Sequence, residues 1–104
     1  MATSYPEQDS AQKLLQNKRD DILQVAAAHG ASNVRVFGSV ARGEADERSD
    51  IDLLVDMEES RTLLDMGGLL MDLRVLLHRE VNIATENGLK PRMRERVLRE
   101  ARPL

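Results

Sequence analysis

The sequence predicts an α/β (α+β) chain, a small mixed β-sheet flanked by helices. Three observations carry this. Three short runs rich in β-branched residues, NVRVF (33–37), DIDLLVD (50–56) and EVNIAT (80–85), read as strands. The stretches around them are long enough for helices and repeat their apolar residues at helical spacing. The length, 104 residues, suffices for one core and one domain spanning 1–104.

The elements follow in order. Residues 1–9 read as a flexible tail. A first helix is expected over 10–29, with Ala11, Leu14, Leu15, Ile22, Val25 and Ala26 on one face. Gly30 suits its C-terminal cap, and His29 reads as a surface residue beside it. Strand 33–37 comes next, then the segment GSVARGEADERS, then strand 50–56. A long helix is expected over 61–77 with Ser60 as its N-cap. That helix is apolar on more than one stripe, which suits core packing more than an interface. Gly67-Gly68 in its middle costs ~1 kcal/mol per glycine against alanine, which leaves room for a kink there. Strand 80–85 follows, then a last helix over 89–101. Pro91 belongs to its first turn, and Met93, Val97, Leu98 and Ala101 form its apolar face.

Composition narrows the function. There is no cysteine, so neither an oxidised framework nor a thiolate metal site is indicated. No apolar run is long enough to span a bilayer, and the N-terminus lacks the order of a signal peptide, so a soluble, cytoplasmic protein is expected. Residues 90–102 hold six basic residues against two acidic ones, in a chain of net charge -3. They read as the solvated polar face of the last helix, partly paired with Glu95 and Glu100. Tyr5 and Phe37 are the only aromatic residues, which argues against a base-stacking surface for single-stranded nucleic acid.

The informative stretch is GSVARGEADERSDIDLLVD, 38–56. Strand alternation puts Asp50 and Asp52 on one face, where two carboxylates repel and neither is buried cheaply. A divalent cation removes both objections, and Mg²⁺ characteristically takes one or two protein carboxylates plus phosphate oxygens. Gly38 lets the chain turn sharply after its strand. Ser39 then opens a short helix, offering a hydroxyl and free backbone N–H groups to an anion, with Arg42 within reach. The bland alternatives are turn glycines, an edge strand with exposed aspartates, and an Arg42 paired with Glu44 or Asp46. Spacing lifts the constellation above them.

Gly38-Ser39, ten residues, then Asp50-Ile51-Asp52 resembles the signature of the DNA polymerase β superfamily of nucleotidyltransferases. GSVARG with SDIDLLVD is similar to its minimal nucleotidyltransferase (MNT) branch, single-domain proteins paired as antitoxins with HEPN-domain toxins. The resemblance implies a polymerase-β-type fold and a Mg²⁺-dependent transfer of a nucleotide, AMP from ATP, to a HEPN toxin partner in a hetero-oligomer. It implies that Gly38, Ser39 and Arg42 bind nucleotide, that Asp50 and Asp52 hold two Mg²⁺ ions, and that Asp50, Asp52 and residue 82 are catalytic. The family carries a third carboxylate on the next strand, where this chain has Asn82. Asn82 has no charge and cannot serve as a base. Glu80, two residues earlier on the same side of the strand, is the candidate substitute. The alternative is therefore an impaired pseudoenzyme that neutralises its toxin by binding. A nucleic-acid module built on the basic last helix would leave the central motif unexplained.

Overall fold

A computed structural model describes residues 10–104; the expected tail lies outside the described residues. Five helices and four strands alternate in the order α1 (Ser10–Asn17), α2 (Arg19–Ala28), β1 (Ala31–Phe37), α3 (Gly38–Ala41), β2 (Ile51–Met57), α4 (Leu63–Leu77), β3 (Val81–Ala84), α5 (Pro91–Glu100) and β4 (Arg102–Pro103). They form one mixed sheet of order β3-β2-β1-β4. β1 and β2 are antiparallel, while β2 and β3 are parallel and joined through α4. The parallel pair requires such a crossover, because a tight turn cannot reverse the chain twice.

β2 is the centre of the core. Ile51, Leu53 and Val55 point to one face and are buried against α1, α2 and α4, through Ala11, Leu15, Ile22, Ala26, Leu69, Leu73 and Leu77. The alternate residues, Asp52 and Leu54, face the other way, where α5 contributes the buried Val97. Burial on both faces explains why DIDLLVD reads as a nearly unbroken apolar run.

Several boundaries differ from expectation for identifiable reasons. The first helix is two, parted at Lys18, although Lys18 N–H still reaches the Leu14 carbonyl and Ile22 N–H the Lys18 carbonyl. Each segment is tied separately, Gln12 Nε2 to the Val40 carbonyl and Arg19 Nε to the Leu104 carbonyl. Gly30 has φ +78°, as its capping role requires.

α4 starts at Leu63, not residue 61. Its cap is Thr62, whose Oγ1 accepts from Leu64 N–H while Asp65 accepts from Thr62 N–H at 2.9 Å. This reciprocal pair outcompetes Ser60, and Thr-x-x-Asp in the sequence is its signature. α4 runs unbroken through Gly67-Gly68 to Leu77. A side chain at Gly68 would run into the ring of His29, which bonds Asp72 at 2.7 Å. His29 is thus a packed, hydrogen-bonded residue and not a free surface one. α4 is also not wholly core, since Leu63, Leu64, Met71 and Val75 are exposed.

β4 has no counterpart in the sequence reading, because two residues hold no period. It pairs Arg102 with Val36 and Pro103 with Arg35, on an edge where proline is tolerated.

The α4 cap yields a test. Thr62→Ala should cost about 1 kcal/mol in urea unfolding at neutral pH. Accepting the Thr62 N–H, helped by Arg61, holds the Asp65 carboxyl below its usual value. A depressed folded-state pKa stabilises the fold above the ordinary aspartate range and is lost as pH falls through the folded value. Asp65→Asn should therefore be less stable than the parent at pH 7, with the deficit shrinking in acid. A deficit constant with pH would show that Asp65 acts through packing.

Candidate active site

β1 delivers the chain to the site and Gly38 turns it. Gly38 has φ +74°, a left-handed conformation that side chains disfavour. Space makes the same demand, because a Cβ there would collide with Asp52 Oδ2. The register explains the meeting. Phe37 pairs with Asp52 across the antiparallel ladder, and Asp52 pairs with Asn82 across the parallel one. The three residues form a row across the sheet, with Gly38 leaving at its end.

Asp50 completes the group from just before β2, not from within it. Asn82 Nδ2 donates to Asp50 Oδ2 and to Asp52 Oδ1, each at 3.1 Å. The amide thus bridges the two carboxylates and offsets their repulsion, which a carboxylate at this position would worsen. Burial raises the Asp52 carboxyl above its usual value. Asp50 and Glu100 add to the rise, while Asn82 and Arg42 oppose it. Glu80 does not join the group: its carboxylate lies 3.2 Å from Arg74 Nη2 and is largely exposed.

The loop before Asp50 is fixed by its own polar groups. Asp46 Oδ1 accepts from Arg48 N–H at 2.8 Å, and Ser49 Oγ accepts from Asp46 N–H at 2.9 Å. Arg79 clamps the loop to the start of β3, donating to the carbonyls of Asp46 and Ser49 at 3.1 and 2.7 Å. This side-chain turn is common chemistry for aspartate and serine. Arg79 escaped the sequence reading, and no local pattern marks it.

On the other side of Gly38 sits a carboxylate that the sequence placed only on the polar face of the last helix. Glu100, the last residue of α5, accepts the Gly38 N–H at 2.9 Å and bonds Arg42 Nη1 through both oxygens, at 3.1 and 3.3 Å. Arg42 also donates from Nε to Glu44 at 2.9 Å. The expected pairing of Glu100 with arginines of its own helix is therefore corrected. Arg99 pairs with Glu95, while Glu100 turns into the site because the Gly38 amide and Arg42 together outbid a solvated helix neighbour. Burial pushes the Glu100 carboxyl up, but the Gly38 N–H, Arg42 and Arg96 outweigh it and hold it below its usual value.

Gly38, Arg42, Asp52 and Glu100 line a cleft of about 470 Å³ between the sheet and α5, and Asp50 and Asn82 lie beside it through their bonds to one another and to Asp52. One side is apolar, with Phe37, Leu89, Met93 and Val97. The other carries Gly38, Ser39, Arg42, Asp52, Arg96 and Glu100. Two carboxylates and an amide oxygen suit a hard cation such as Mg²⁺ that draws its remaining ligands from phosphate and water. Among the described residues no cluster of three or more His, Cys, Asp or Glu could hold a metal alone. An ion here would need oxygen ligands beyond these side chains.

The family profile of the nucleotidyltransferase domain matches residues 19–104. The chain belongs to the nucleotidyltransferase domain family. It is 44% identical over 89 residues to the protein adenylyltransferase MntA of Thermococcus cleftensis, covering 78% of this chain and 90% of that one. It is 40% identical over 80 residues to a candidate protein adenylyltransferase of Methanocaldococcus jannaschii, MJ0435, covering 77% and 86%. The solved structure of a proposed minimal nucleotidyltransferase superposes with a TM-score of 0.80 at 58% identity, over 88% of this chain and 94% of that one. A toxin-antitoxin crystal structure with AMP-PNP superposes at 0.69 with 19% identity, over 85% and 70%, a likeness of fold. The α+β architecture expected from the sequence is thus that of the minimal nucleotidyltransferases.

Gly38→Ala tests the turn. The methyl group meets both an unfavourable φ and the Asp52 carboxylate, so the variant should lose stability by about 1–3 kcal/mol. Denaturant unfolding of parent and variant measures this. Equal stability would mean that Asp52 moves aside freely and that the turn does not fix it.

Proposed function

We propose that this chain is a Mg²⁺-dependent protein adenylyltransferase and the antitoxin of a HEPN-domain toxin, to which it transfers AMP from ATP. One observation carries the reading: a left-handed glycine turn and the Asp52 carboxylate, which Asn82 bridges to Asp50, share one cleft with apolar side chains. The turn and Arg42 offer donors to phosphate. Phe37, Leu89, Met93 and Val97 offer a slot for a nucleobase. Asp50 and Asp52 would hold the metal, with the Asn82 amide able to present its oxygen once a cation replaces the hydrogen bonds it now makes. Mg²⁺ held there would supply charge stabilisation for the attacking and departing oxygens.

The reaction follows from this placement. A hydroxyl oxygen of the toxin bonds to the α-phosphorus of ATP as the bond to the bridging oxygen of pyrophosphate breaks. The hydroxyl proton leaves to solvent, because Asn82 has no basic atom. The protein's share is positioning and fixed charge, worth most in a cleft that excludes water. Family membership and adenylyltransferase relatives support the chemistry. The toxin-antitoxin complexes among similar folds support a toxin partner, which would also cover the exposed apolar residues of α4.

A second reading, an antitoxin that acts by binding alone, is favoured by Asn82, which replaces a charged ligand and a base with a neutral amide. Mass spectrometry of the toxin after incubation with ATP and Mg²⁺ separates the two. A gain of one or more AMP units supports the enzyme. An unmodified yet neutralised toxin supports the binder.

The same assay measures the cost of Asn82. A positioned general base is typically worth ~10²–10⁴-fold. Asn82→Asp is nearly isosteric and should raise the transfer rate at least about tenfold. A fast parent indifferent to this change would remove residue 82 from the chemistry.

A further inference from the structure

Glu100 uses the groups that the proposed function assigns to phosphate. Its carboxylate takes the amide hydrogen of Gly38 and the guanidinium of Arg42, both facing the cleft. These are charge-assisted contacts of the kind an oxyanion of a triphosphate makes. The Glu100 side chain is only 17% exposed, whereas Glu95, five residues earlier, is 78% exposed and pairs with Arg99. Glu100 is therefore specifically inserted and is no ordinary member of the helix's polar face.

The backbone around it explains the insertion. α5 ends at Glu100, and β4 follows at once, pairing Arg102 with Val36. Leu104 N–H donates to the Val34 carbonyl at 3.2 Å, and Arg19 Nε donates to the Leu104 carbonyl at 2.9 Å. Residues 102–104 are thus latched beside β1, and the latch brings residue 100 to the turn that leaves β1. α5 itself is lightly held. Val97 is its one fully buried side chain, while Met93 and Leu98 stay 42% and 40% exposed. A rotation of the Glu100 side chain, or a small shift of α5, vacates the cleft at modest cost.

We propose that Glu100 is a built-in occupant of the phosphate seat, which nucleotide enters only as this carboxylate withdraws. The proposal rests on the reading of the cleft as a nucleoside triphosphate site. A carboxylate and a triphosphate cannot share the Gly38 amide, and their like charges forbid close coexistence beside Asp52. The apparent affinity for nucleotide is then the intrinsic affinity multiplied by the fraction of molecules with the seat open. Withdrawal also frees the last turn of α5, so occupancy of the cleft is felt at the C-terminal strand. In effect the chain carries a competitive, tethered mimic of its own substrate's charge.

Calorimetry on the full chain tests this with two probes, ATP with Mg²⁺ and inorganic tripolyphosphate. The variants are Glu100→Gln, Glu100→Ala and, as a control with the same loss of charge, Glu95→Gln. Both Glu100 variants should bind each probe about tenfold tighter than the parent, as expected if the seat is closed roughly nine-tenths of the time. Glu95→Gln should match the parent. Equal or weaker binding by the Glu100 variants, with a parent that does bind Mg-ATP, would overturn the proposal and leave the nucleotide site standing. A comparable gain from Glu95→Gln would overturn it too, by reducing the effect to net charge. Binding by none of the proteins would defeat the nucleotide site as well. NMR on the unmodified parent needs no variant: tripolyphosphate should shift the Gly38 amide and the Glu100 carboxyl carbon together, and a shift at Gly38 with Glu100 unmoved contradicts the proposal.

Discussion

The approach of the backbone at Gly38 to the Asp52 carboxylate is the constraint on which the rest of the site depends. It exists because Phe37 and Asp52 pair across the β1–β2 ladder, so the chain leaves β1 directly over that carboxylate. Only a residue without a Cβ fits there, and only a residue that tolerates φ +74° makes the turn. One pairing register therefore places an amide donor, a short helix and an acidic side chain within reach of each other. The core under β2, with Ile51, Leu53 and Val55 wholly or almost wholly buried, prevents the register from slipping, since a shift of one residue would drive Asp52 inward.

Around this point the charges are balanced internally. Asn82 donates to both aspartates, and Glu100 answers Gly38 and Arg42. The first bridge relieves the negative end of the site, the second the positive end. A metal and a triphosphate would replace these partners with stronger ones of the same sign. The protein is thus held by contacts that resemble the contacts of its proposed complex, an arrangement that keeps a polar cleft satisfied in isolation.

Much of this was legible in the sequence, and the reason is local. DIDLLVD declares a strand because it is buried on both faces, and Gly38-Ser39 declares a turn because few other residues can make it. The spacing between them carries the resemblance to nucleotidyltransferases. What escaped depends on contacts distant in sequence. Glu100 lies 62 residues from Gly38, and its role appears only when β4 latches α5 beside β1. Arg79 reaches back to a loop 30 and more residues earlier. The use of Gly68 has the same origin, because His29, which follows α2, occupies the space a side chain there would need. The missed start of α4 is different, since Thr62 and Asp65 announce it locally.

The central claim, that the Gly38 turn and the aspartate pair form one site for a metal-bound nucleoside triphosphate, is tested most directly by mapping amide shifts on the ¹⁵N-labelled chain titrated with ATP, with and without Mg²⁺. The account predicts shifts concentrated at Gly38, Ser39, Arg42, Asp50, Asp52 and Asn82, with the changes at the two aspartates and Asn82 requiring Mg²⁺. Shifts centred on another surface, or changes at Gly38 with Asp50 and Asp52 silent in Mg²⁺, would contradict it.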